Sequence, residues 1–215
     1  MKKLSAILLL LLLALGASAQ TGSDEKEKVI TTRILFLFDA SQSMYGRWQS
    51  DMKITIARKI MSDLLDSLRD VPNLELALRC YGHTKDYPPQ DCDDSRLEVP
   101  FGPDNIEKIK YKLKTINPRG TTPIAMSLER AGGDFPACAT CRNIIILITD
   151  GIEECNGDPC AVSLALQKKG IILKPFIIGI GKSFREQFEC VGTYFDATTE
   201  TQFSTALNIV ISQAL

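Results

Sequence analysis

Asp39, Ser41 and Ser43 end the stretch ILFLFDASQSM (34–44) at alternate positions, directly after five consecutive apolar residues. One carboxylate followed by two hydroxyls supports two chemistries. The carboxylate can attack a phosphoryl group, or the oxygens together can cradle a divalent cation. Two further places carry matching chemistry. Asp150 follows a second unbroken apolar run, and Thr121 and Thr122 follow Arg119 and Gly120. The structural alternative for the first group is a strand-to-helix turn, since Asp and Ser favour turns and helix caps. Phosphoryl chemistry also calls for a group that protonates the leaving group, and the Ser41 hydroxyl cannot do that as a carboxylic acid does.

These residues must be positioned by what flanks them. Apolar residues predict strands over 30–38, 74–81, 97–101 (with Pro100 at its end), 143–149, 171–180 and 193–196. Pro175 implies that regular pairing in the fifth strand starts only after it. Between them, Ile54, Ala57, Met61, Leu64 and Leu68 share one face of a helix over 51–69, and Ile106, Ile109 and Leu113 share a face of another. Thr122-Pro123 and Asp158-Pro159 have the chemistry of a helix cap followed by proline at the first helical position, and Gly170 suits a helix stop. A short helix follows Ser183, and a terminal one carries Phe203, Leu207 and Val210. Continuously apolar strands joined by helices predict an α/β fold. Its doubly wound, mostly parallel sheet of about six strands carries helices on both faces. Such sheets bind ligands at the carboxyl ends of their strands, where strand order switches. Asp39 and Asp150 both fall there.

Asp39-Ala40-Ser41-Gln42-Ser43, Gly120-Thr121-Thr122 and Thr149-Asp150-Gly151, in that order, resemble the D-x-S-x-S, G-x-T and T-D-G segments of a von Willebrand factor type A (VWA) domain. In that family they form a metal-ion-dependent adhesion site. Closer in, Ser43-Met44-Tyr45-Gly46, Tyr81-Gly82-His83, Thr122-Pro123-Ile124-Ala125 and Asp150-Gly151-Ile152-Glu153 look like a bacterial exported subgroup. The resemblance covers 29–215 and implies metal-site residues Asp39, Ser41, Ser43, Thr122 and Asp150. Thr121 is the competing hydroxyl; Thr122, just before Pro123, matches the motif better. The implied ion is Mg²⁺, with Mn²⁺ or Ca²⁺ as substitutes. Magnesium prefers six oxygens in an octahedron and keeps waters. Ser41, Ser43 and Thr122 offer neutral oxygens, while Asp39 and Asp150 can orient them and hold waters. An ion so ligated stays electron-poor, and the resemblance implies that an Asp or Glu of a partner protein completes its shell. Two alternatives stand beside this. One is a phosphohydrolase of the haloacid-dehalogenase type using Asp39, although no Lys-plus-acidic set completes such a site. The other is a structural VWA domain without a functional metal.

A rim for that partner is expected from Tyr45, Arg47 and Trp48, by the interface preference of aromatics and Arg; packing of these residues over the first helix is the alternative. His83, the only histidine, is either a contact beside the metal or a structural residue orienting the loop to Asp94. Asp91, Asp93 and Asp94 follow no calcium-loop template and read as a solvated loop.

Lys2 and Lys3, an apolar core and Ala17-Ser18-Ala19 mark 1–19 as a signal peptide, too short to span a bilayer comfortably. The stretch 20–28 reads as a flexible leader before a single domain. The exported protein is expected in the periplasm or outside the cell, with no membrane insertion after cleavage. The formal charge of −1 becomes more negative once the two lysines leave, and no basic block remains for nucleic acid. All seven cysteines follow the cleavage site, so up to three disulfides are expected, with Cys80 as the odd thiol. Cys138-x-x-Cys141 resembles half a zinc site but lacks a second pair. Cys155 and Cys160 can close a small ring, or pair with Cys92 or Cys190.

Overall fold

The computed structural model describes residues 30–168, 176–181 and 183–215. The expected signal peptide, leader, Gly170 stop and stretch before Phe176 lie outside them. β1 (Thr32–Asp39) is buried along its whole length, as its apolar run requires. The chain then makes a 3₁₀ turn (Gln42–Tyr45) and a short hairpin of β2 (Arg47–Trp48) and β3 (Asp51–Met52). Helix α1 (Lys53–Ser67) therefore begins later than the expected 51, because Asp51 and Met52 pair with Trp48 and Arg47. There follow β4 (Leu74–Tyr81), β5 (Ser95–Gly102), α2 (Ile106–Thr115), α3 (Ile124–Gly133) and β6 (Arg142–Thr149). The chain closes with α4 (Pro159–Lys168), β7 (Phe176–Ile180), α5 (Arg185–Phe188), β8 (Thr193–Ala197) and α6 (Glu200–Ala214).

The main sheet has the order β5-β4-β1-β6-β7-β8. Every neighbouring pair is parallel except β4 with β5. From β1 the chain moves out to β4 and β5, then returns to β6 on the other side. β1 is thus the switch point, and the crevice at its carboxyl end lies between β4 and β6. Alternation along β1 sorts the core into two layers. Ile34, Phe36 and Phe38 pack with Ile54, Met61, Leu113 and Phe203, under α1, α2 and α6. Leu35 and Leu37 pack with Ile124, Leu128, Leu166 and Phe188, under α3, α4 and α5.

The edge strand β5 is longer than the expected 97–101. Pro100 falls in the irregular stretch between the pairs Leu78–Val99 and Leu76–Gly102, at a sheet edge that tolerates its missing N–H. Next to it, Glu98 joins three elements. His83 Nε2 donates to its Oε1 at 2.9 Å, Lys112 Nζ lies 2.9 Å from its Oε2, and Arg96 also bonds Oε1. Burial disfavours the Glu98 charge, but the hydrogen bonds from His83, Lys112 and Arg96 outweigh it. They hold its carboxyl down at about 2, from an ordinary 4.5. A depressed carboxylate stabilises the fold fully above its unfolded value and loses that effect as pH falls toward its folded one. Glu98→Gln is therefore expected to lose roughly 1–3 kcal/mol in urea unfolding at neutral pH. The gap to the wild type should close as pH falls from 4.5 toward 2; a gap independent of pH would contradict this role.

The described residues contain disulfides Cys92–Cys155, Cys138–Cys141 and Cys160–Cys190, and Cys80 is free and buried in β4. Cys138 and Cys141 thus bond each other rather than a zinc ion. Cys155 and Cys160 take separate partners, Cys92 and Cys190, so the ring between them does not form. Among the described residues, no helix is long and apolar enough to cross a membrane.

Candidate metal centre

Asp39 stands at the carboxyl end of β1 with no solvent exposure. Its Oδ1 accepts the Ser41 N–H at 2.8 Å. Its Oδ2 accepts the hydroxyls of Tyr81 at 3.0 Å and Thr149 at 2.7 Å, from the ends of β4 and β6. The turn after β1 therefore holds one oxygen, and the ends of β4 and β6 hold the other. Burial, and after it the charge of Asp150, raises the Asp39 carboxyl from 3.8 to about 6, against the lowering effect of bonds from Ser41 and Thr149.

Beyond Asp39 the turn aims hydroxyls outward. Ser41 Oγ and Ser43 Oγ are 3.0 Å apart, and Ser43 donates to Asp150 Oδ1 at 2.6 Å. Lys53 Nζ donates to the other oxygen, Oδ2, also at 2.6 Å. The 119–122 loop is zipped onto this turn. Gln42 N–H donates to Gly120 at 2.9 Å, Arg119 N–H donates to Ala40 at 3.2 Å, and Ser41 and Gly120 form a parallel bridge. Gly82, at φ +68°, accepts the N–H groups of Arg119 and Gly120 and so supports the loop from beneath.

Thr121 and Thr122 then part ways. Thr121 Oγ1 donates to Glu154 Oε2 at 2.9 Å, whereas the Thr122 hydroxyl makes no hydrogen bond among the described residues. Against the expected helix cap at Thr122 with Pro123 as the first helical residue, α3 begins at Ile124, with no side-chain bond from its cap residue. Glu153, from the loop after β6, takes over that role, its Oε2 accepting the Ala125 N–H at 2.6 Å. A carboxylate at a helix amino end is favoured by the exposed N–H groups and the helix dipole. This cap leaves the Thr122 hydroxyl uncommitted.

Ser41, Ser43 and Thr122 line one cavity of about 410 Å³, which Tyr87, Gln90, Thr121 and Glu154 also wall. Cys92–Cys155 and a 2.6 Å bond from Gln90 Nε2 to the Glu154 carbonyl join the two loops that form this wall. Asp94 stiffens the first loop from inside, accepting from Thr84 N, Thr84 Oγ1 and Lys85 N. It is buried, so the solvated acidic loop expected of Asp91, Asp93 and Asp94 fails at that residue.

The expected rim divides. Tyr45 and Arg47 are exposed. Trp48 is not, because its Nε1 donates to Thr198 O at 3.0 Å and its ring packs near Phe203 of α6. His83 is likewise buried, turned to Glu98. Neither can form an exposed rim. Sequence reasoning missed Lys53 and Glu153. Lys53 carries no motif signal, while Glu153, three residues after Asp150, stands within the subgroup segment Asp150-Gly151-Ile152-Glu153 without a role of its own.

A profile of the von Willebrand factor type A domain matches residues 34–208. Uncharacterized protein YwmC of Bacillus subtilis (strain 168) is 28% identical over 211 residues, covering 93% of each chain. The crystal structure of the conserved hypothetical protein BatB from Bacteroides thetaiotaomicron superposes with a TM-score of 0.67 at 18% identity, covering 85% of this chain and 98% of that one. Proximal thread matrix protein 1 from the mussel byssus, in a structure with a zinc-occupied MIDAS motif, gives 0.68 at 20% identity, over 86% of this chain and 46% of that one. The sheet order, the switch-point crevice and the profile match agree, and the chain belongs to the von Willebrand factor type A domain family.

Proposed function

We propose that this protein is an exported, metal-dependent protein-binding module in which a divalent ion, Mg²⁺ by preference, joins it to an acidic residue of a partner protein. The observation that carries this is the convergence of three hydroxyls, Ser41, Ser43 and Thr122, on one cavity beside two restrained carboxylates. The donor set fits a hard cation. Its oxygens are mostly neutral, Thr122 is uncommitted, and an ammonium already sits on Asp150 as a cation would. Ser41, Ser43 and Thr122 would hold the ion, with Asp39 and Asp150 orienting them and its waters. When bound, the ion supplies an electron-poor position for an external carboxylate. Mn²⁺ or Ca²⁺ would serve with different strength.

Support also comes from outside the chain, since a mussel relative of this fold holds zinc at its adhesion motif. The three disulfides support an oxidising, exported setting. The phosphohydrolase alternative asks Asp39 to attack a substrate. Its carboxylate is fully buried and both its oxygens are already bonded, so it has no path to one.

The test is affinity capture from exported proteins on immobilised protein, in Mg²⁺ and in EDTA, with Ser43→Ala as the control. Capture that needs Mg²⁺ and Ser43, and that is lost when acidic residues of the captured protein are neutralised, is expected. Metal-independent capture, or Asp39-dependent hydrolysis of an aryl phosphate, would overturn the proposal.

A further inference from the structure

We propose, resting on the metal reading above, that Lys53 is a resident counter-cation that competes with the divalent ion for Asp150 and so raises the ion concentration at which the centre loads. Lys53 is the first residue of α1, and its backbone N–H is fixed on Gly46 O at 2.9 Å. Its side chain runs past Gly46, where a β-carbon would lie 3.6 Å from Lys53 Cε and 3.8 Å from Nζ. The ammonium ends 2.6 Å from Asp150 Oδ2, with side-chain exposures of 12% for Lys53 and 0% for Asp150.

This is not an ordinary surface pair. Asp150 offers its other oxygen to Ser43, whose hydroxyl is 3.0 Å from that of Ser41, so the ammonium charge stands one carboxylate away from the hydroxyl cluster. Two like charges separated by so little in a partly desolvated site repel strongly. An ion entering the cluster therefore meets an Asp150 charge that is already balanced. The two carboxylates alone would match a divalent ion; with Lys53 the loaded centre carries surplus positive charge, which suits a carboxylate from outside.

Titration of the full mature protein with Mn²⁺ alone, followed by the loss of the free-ion EPR signal, tests this. Lys53→Met and Lys53→Gln should bind Mn²⁺ about tenfold more tightly than the wild type, and Lys53→Arg should stay close to it. Metal-free, both neutral variants should melt below the wild type and gain more from Mn²⁺, since a tighter ligand stabilises more at the same concentration. That second measurement covers the case in which Lys53→Met folds only with metal. Wild-type protein that binds no Mn²⁺ would overturn the metal reading itself. Wild-type binding with equal or weaker binding by the neutral variants would overturn the Lys53 proposal alone, leaving the lysine a purely structural clamp.

Discussion

Gly82→Ala is expected to lose about 3 kcal/mol of stability or more, and with it the shape of the cavity. Gly82 lies just after β4 at φ +68°, a conformation that side chains disfavour. Space is the larger problem. A β-carbon there would stand 2.5 Å from the Thr121 carbonyl oxygen and 2.8 Å and 2.9 Å from Ser41 Cα and N. All three are backbone atoms of the loops that present the hydroxyls, and none can swing aside as a side chain does. Relief requires moving Ser41 away from Thr121, which breaks the zipper between the 39–43 turn and the 119–122 loop. Gly133→Ala is the matched control, since nothing lies within 4 Å of its β-carbon position. It should stay within about 1 kcal/mol of the wild type. Urea unfolding of both variants measures the difference; equal midpoints would show that the two loops are not in rigid contact.

Asp39→Asn should weaken Mg²⁺ binding about 10- to 100-fold while leaving the metal-free protein at least as stable as the wild type near neutral pH. The reason lies in how Asp39 is held. Its carboxylate is fully buried and faces the Asp150 charge, both of which disfavour its ionised form. The amide has the same shape and no charge. Its oxygen can keep the Ser41 N–H, and the Tyr81 and Thr149 hydroxyls can rotate to accept from its NH₂ group. A site tuned for a cation gives up some metal-free stability, and removing the charge should return it. Thermal unfolding in EDTA decides the point. A midpoint several degrees below the wild type would make Asp39 a structural carboxylate rather than a metal-serving one.

How much of this was legible in the chain follows from distance along it. The five apolar residues before Asp39 specify a strand buried on both faces, and from such strands the sheet and its switch point follow. Ser41 and Ser43 sit beside Asp39 in sequence, so their alternation was readable. The freedom of Thr122 was not, since it depends on Glu153 arriving from another loop to cap α3. Lys53 was hidden for the same reason: its partner Asp150 is 97 residues away. Trp48 reads as a surface group because aromatics favour interfaces, and His83 reads as either a contact beside the metal or a structural residue because it follows a strand that ends near the crevice. Their burial is decided by Thr198, Phe203 and Glu98, contacts that no local pattern encodes. Cysteine pairing likewise needs the fold, since Cys92 meets Cys155 only once the two cavity loops come together.

The central claim is that β1 ends at Asp39 to present an ion, and isothermal titration with Mg²⁺ and Mn²⁺ tests it most directly. The wild type should bind one ion per chain saturably. The Asp39→Ala, Ser41→Ala double variant should release no binding heat, provided its circular dichroism spectrum confirms the fold. Equal binding by the two proteins, or none by the wild type, would contradict the account.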